Sequence, residues 1–100
     1  MEWDKFRMAQ KFLQKANGIH PEDAGSSDQF NEALAVQDVY YDCYMSSFSR
    51  ADLIKRLEEI VVAGKITMPE EQEVDEEKYR ATFAREARRI LATIEAGKDI

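Results

Sequence analysis

Ser49-Arg50-Ala51-Asp52-Leu53-Ile54-Lys55-Arg56-Leu57-Glu58-Glu59-Ile60-Val61-Val62-Ala63-Gly64 decides the fold class. Leu53, Ile54, Leu57, Ile60 and Val61 recur at i, i+3, i+4, i+7 and i+8, the spacing of one face of an α-helix. Ser49 followed by Asp52 is a start signal, because a hydroxyl can accept a hydrogen bond from an otherwise orphaned amide of the first turn. Gly64 supplies a stop. Lys65-Ile66-Thr67-Met68 is compatible with a brief extension.

The flanking sequence has the same character. Upstream, Ser26-Ser27-Asp28-Gln29 opens a second amphipathic segment from about Ser27 to Ser47. Ser26 and Gln29 fit a capping box. Phe30, Ala33, Leu34, Tyr40, Tyr41, Tyr44 and Phe48 form a wide apolar arc there, which Val36, Val39 and Cys43 extend. An arc this broad predicts a helix contacted by several others. Asn31, Asp38 and Asp42 form a narrow strip read as facing water. Further upstream, a helix is expected from about Glu2 to Ala16, with Phe6, Ala9, Leu13 and Ala16 on the buried face, Phe12 beside them and Trp3 at its edge. Asn17-Gly18 and Pro21 end it. Residues 17 to 25 read as a loop with space for one short turn after His20. Downstream, a polar stretch from Pro69 to Glu77 reads as a loop or short exposed helix. It leads into a helix from about Asp75 to Ala96, with Tyr79, Phe83, Ala87, Ile90 and Ile94 as its buried stripe. The expected fold is all-α: one domain over residues 1–100, a small bundle of four main amphipathic helices with one extra short helix allowed.

Composition narrows function by exclusion. The chain has 100 residues, 44% hydrophobic and 34% charged, with four Gly and two Pro, which suits a helical globule better than a turn-rich β fold. One cysteine, Cys43, rules out an internal disulfide. Met1-Glu2-Trp3-Asp4 has acids where a secretory leader carries bases, and no apolar run is long enough to span a bilayer. A cytoplasmic location is expected. The net charge of −6 disfavours nucleic acid and anionic membrane as direct partners.

No catalytic constellation is visible, so an enzyme is not expected. His20 is the single imidazole, and it lies in the loop beside Pro21. Cys43 sits on an apolar arc and reads as a small buried hydrophobe. No Glu precedes a His by three residues, as helical di-iron sites require. The run Glu70-Glu71-Gln72-Glu73-Val74-Asp75-Glu76-Glu77 has the acids of a calcium loop without its central glycine. No cofactor and no metal are expected. The ten or so residues between the third and fourth helices are too many for a helix-turn-helix. Arg80, Arg85, Arg88 and Arg89 make the last helix basic, and the plain account of them is a solvated face with ion pairs.

Charge segregation is the informative feature. Ala16 through Ser49 contains no Lys or Arg but holds Glu22, Asp23, Asp28, Glu32, Asp38 and Asp42. Ile66 through Glu77 again holds six acids and no base, so the remainder carries eight acids against fourteen bases. Dipole compensation at helix starts and packing of acidic against basic helices account for part of this. The rest points to a protein partner with a basic surface. The candidate contact residues are Asp28, Glu32, Asp38, Asp42, Glu70, Glu71, Glu73, Glu76 and Glu77.

In size, charge and helical architecture the whole chain resembles the small phage-encoded anti-CRISPR inhibitors, particularly helical ones that act on type I surveillance complexes. That class shares no motif, so the resemblance assigns no residue. It implies a non-catalytic inhibitor, a nucleic-acid mimic acting in the host cytoplasm on positively charged subunits that hold guide RNA or target DNA. A monomer is expected. Two other readings remain open: a homo-oligomer or assembly chaperone using the Tyr40, Tyr41 and Tyr44 helix, and nucleic-acid binding through the last helix.

Overall fold

A computed structural model describes residues 3–70 and 73–100. The fold is all-α. Helix α1 spans Lys5–Asn17, α2 Ser27–Ser46, α3 Arg50–Val61 and α4 Glu76–Glu95, with a 3-10 turn at Pro21–Asp23 between the first two. Among the described residues no helix is long and apolar enough to cross a membrane.

Each helix starts on a side chain that accepts from its first turn. Asp4 accepts from the amides of Phe6 and Arg7, both at 3.1 Å. Ser26 accepts from the Gln29 amide at 3.2 Å, and the Gln29 side chain accepts from Gly25 N–H at 2.9 Å. Ser49 accepts from Asp52 N–H at 3.0 Å and Asp75 from Lys78 N–H at 3.2 Å. These bonds satisfy amides that the helix geometry leaves without intrahelical acceptors. Gly64 and Gly97 take positive φ (65° and 70°) just past α3 and α4, a conformation a side chain would strain. The positive φ at Gly64 stops α3, so Lys65–Met68 does not extend it.

Helix α2 is central and packs against α1, α3 and α4, while α3 also packs on α4. The largest fully buried side chains of the core are Phe12 from α1, Val39 and Cys43 from α2, Leu53, Leu57 and Ile60 from α3, and Tyr79, Phe83 and Ile90 from α4. The stripe expected in α4 is the one buried, and in α3 Leu53, Leu57 and Ile60 are buried with Ile54 and Val61 partly buried against the core. In α1 the buried stripe is Met8, Phe12 and Ala16, and Phe6 is 78% exposed. Two stripes with helical spacing compete on this helix, and contact with α2 selects the one through Met8. In α2 the buried ridge is Asn31, Ala35, Val39 and Cys43, with Tyr40 beside it. Of the strip read as facing water, Asn31 is buried and Asp38 and Asp42 are half-buried. Asn31 is buried because it joins two helices: its Nδ2 donates to Ser27 O at 2.8 Å, and its Oδ1 accepts from the amide of Asp75, the cap of α4, at 2.8 Å.

Candidate protein-binding surface

All four acids of α2 that the sequence offers as contact residues are engaged within the chain. Asp42 accepts from Arg56 Nε and Nη2, both at 2.7 Å, in a fork-to-carboxylate pair whose side chains are 17% and 20% exposed. The same Arg56 donates from Nη1 to Lys65 O at 2.9 Å, which ties the segment after α3 to α2. The hydrogen bond from Arg56 to Asp42 is the main reason the guanidinium is held above its ordinary pKa. Asp38 accepts from the Tyr79 hydroxyl at 2.7 Å. Burial first, and then this bond, push the Tyr79 phenol well up, so it stays a donor.

The outer acids of α2 form a ladder with α4. Asp28 pairs with Lys78, and Glu32 with Arg85 at 3.3 Å. Glu86 receives Arg89 Nε at 2.8 Å, and Arg89 also donates to the Tyr40 hydroxyl at 2.9 Å. Arg80 reaches back to Glu76 at 3.0 Å. Much of the charge segregation is thus an acidic helix beside a basic one. Arg80, Arg85 and Arg89 are each met by a carboxylate, which weakens the case for nucleic-acid binding through α4. Glu70, Glu73 and Glu77 are exposed in and next to the connection before α4. Glu71 lies outside the described residues.

The other candidate groups fall elsewhere. Cys43 is 1% exposed, and burial pushes its thiol well above its ordinary pKa. His20 Nδ1 lies 3.4 Å from Glu22 Oε1 on the exposed turn. His20, Glu22 and Asp23 present ligand atoms within 4.8 Å of one another and form the one group among the described residues able to hold a metal ion, all three being exposed. Trp3 packs on the core, and its buried indole N–H meets no acceptor among the described residues.

Two grooves on the surface do bring residues together. The larger, about 840 Å³, lies between α2, the start of the α3–α4 connection and α3. Its polar lining is Asp38, Asp42 and Glu59 against Arg56 and Lys65; Tyr41, Met45, Ile66, Met68 and Phe83 supply the apolar part. The second, about 390 Å³, runs between α1 and the end of α2, lined by Lys5, Phe6, Ala9, Tyr44, Met45, Ser47 and Phe48. Met45 belongs to both. The sequence did not reveal either groove, since each is assembled from segments distant in the chain. Phe48, placed on the core arc by its spacing, is 71% exposed, and Met45 is 70% exposed. Comparison of the chain with family models, curated proteins and solved structures returned no match to any of them.

Proposed function

We propose that this chain is a non-catalytic inhibitor that binds a protein partner with a basic surface, and that the larger groove receives the contact. The observation that carries this reading is the groove's lining. Three carboxylates outnumber two cations there, and Arg56 is already matched by Asp42. The apolar wall of Tyr41, Met45 and Met68 stands beside them. A lysine or arginine of a partner has the matching form, an apolar stem with a cationic head. The exposed Glu70, next in the chain to the lining residue Pro69, extends the negative field and steers a basic surface toward the groove. Asp38 and Asp42 contribute charge to the wall while holding the fold. The finer reading, an anti-CRISPR-like mimic that blocks a nucleic-acid-binding complex in a host cytoplasm, rests on the same negative groove and on the likeness in size and architecture.

The test is expression of the chain in bacteria whose type I CRISPR system restricts a targeted phage, together with binding of the purified chain to the isolated surveillance complex. Restored plaquing and salt-weakened binding are expected. Glu59→Lys and Glu70→Lys should reduce both and leave the helical circular dichroism unchanged. A folded wild-type chain that neither binds the complex nor relieves restriction would sink the anti-CRISPR reading. Binding insensitive to both reversals would sink the assignment of the groove.

A further inference from the structure

The smaller groove differs from the larger one in having no carboxylate among the described residues that line it. We propose that it is the face on which a second copy of this chain docks, giving a two-fold dimer. This goes beyond the partner-binding reading and uses a different surface, adjoining it only at Met45.

Phe6 is 78% exposed, Phe48 71%, Met45 70% and Tyr44 40%, all at one end of the α1–α2 pair. At roughly 200 Å² for a whole large side chain, these fractions leave about 500 Å² on one face. Apolar patches on monomers are seldom larger than about 300–600 Å², and each side of a standard interface contributes about 800 Å². The four side chains therefore supply more than half of one such side.

Two features favour a second copy over a charged partner. The first is shape. A two-fold contact requires each copy to offer a projection and a recess. Phe6 and Phe48 are largely exposed, and the recess of about 390 Å³ that they line is shared with Ala9, a small residue. The second is charge. Lys5 is the one charged residue in the lining, and its Nζ lies 5.1 Å from the Phe6 ring centroid. A basic partner finds no carboxylate among the described lining residues. A copy carrying −6 can approach along this face without bringing lining acids together.

Two chains of −6 repel at long range while the contact itself is apolar, so added salt screens the repulsion and strengthens the dimer. Sedimentation equilibrium across a concentration series, at low and high salt, is the experiment. The mass should rise with concentration from 11.6 kDa toward twice that value, and rise earlier at high salt. Phe48→Asp should weaken the dimer by roughly 30-fold or more, the effect of removing a hot-spot side chain, and keep the helical spectrum. Met45→Glu should act in the same direction. Val62→Asp, on another exposed apolar residue at the end of α3, should leave association as in the wild type. A wild-type mass fixed at the monomer, or a dimer that Phe48→Asp leaves as tight as in the wild type, overturns the proposal. So does a dimer lost in Val62→Asp alone. None of these results depends on the basic partner, so the larger groove is judged separately.

Discussion

Replacing Asp42 by Ala asks whether this acid serves the fold or only the surface. The sequence places it on a water-facing strip, where its loss should matter little. The structure places it against Arg56 with two hydrogen bonds of 2.7 Å, both side chains about four-fifths buried. Exposed pairs contribute about 0–1 kcal/mol, and removing one member of a fully buried pair costs about 3–5 kcal/mol. With this burial and bidentate geometry, Asp42→Ala should cost about 3 kcal/mol, because the guanidinium loses its acceptor and stays partly desolvated. For a chain of this size that corresponds to a fall in Tm of roughly 10–20 °C. Arg56→Ala should cost at least as much, since it also leaves the Lys65 carbonyl without its donor. The double variant should be less destabilised than the sum of the singles by about 2 kcal/mol, as expected for residues in direct contact. Urea unfolding followed by circular dichroism measures all three. Singles that add to within about 0.5 kcal/mol would refute the coupling, and an Asp42→Ala variant as stable as the wild type would return Asp42 to the surface.

Three further outcomes are expected. Asn31→Leu should cost about 1–3 kcal/mol in urea unfolding, because the Asp75 amide loses its acceptor at the start of α4; amide exchange in the first turn of α4 should rise with it, and unchanged exchange there would contradict the bridge. Gly64→Ala should cost about 1 kcal/mol or more through its φ of 65°, with open space around the added methyl, so a neutral result would mean that the turn relaxes. Burial holds Cys43 and Tyr79 protonated in the folded chain, above their unfolded values of 9.0 and 10.0. A raised folded pKa gives stability that is complete below the unfolded value and lost as pH rises past it. Each group should therefore subtract about 1.4 kcal/mol per pH unit above its unfolded value, first Cys43 and then Tyr79. Urea midpoints that stay level from pH 8 through 10.5 would contradict that burial.

Legibility in the sequence followed the number of stripes on each helix. Helix α4 has one apolar stripe, Tyr79 to Ile94, and polar residues over most of the remainder, so spacing alone identifies its buried face. Helix α3 is similar. Helix α1 has two, one through Phe6, Ala9 and Leu13 and one through Met8 and Phe12, and spacing cannot rank them; contact with α2 does. Along α2 the failure was of another kind. Asp38 and Asp42 look solvated because their partners, Tyr79 and Arg56, lie 41 and 14 residues away. Asn31 was misread for the same reason, its acceptor oxygen serving an amide 44 residues on. A polar residue in mid-helix indicates water or a distant partner, and periodicity does not distinguish the two. The acidic bias was readable from composition. Its division between internal pairing and an outward groove required the packing.

That division gives the two grooves opposite responses to the same variable. Contact between an acid-lined groove and a basic protein gains from long-range attraction, so salt weakens it and slows association. Contact between two apolar faces on chains of −6 works against long-range repulsion, so salt strengthens it. The grooves meet at Met45, and a substitution there alters both surfaces at once. Phe48 lines only the smaller groove and Glu59 only the larger. Phe48→Asp should therefore remove self-association and leave salt-weakened partner binding in place, whereas Glu59→Lys should do the reverse. If Phe48→Asp abolished both, partner binding would require the dimer, and the two grooves would form one continuous surface across the pair.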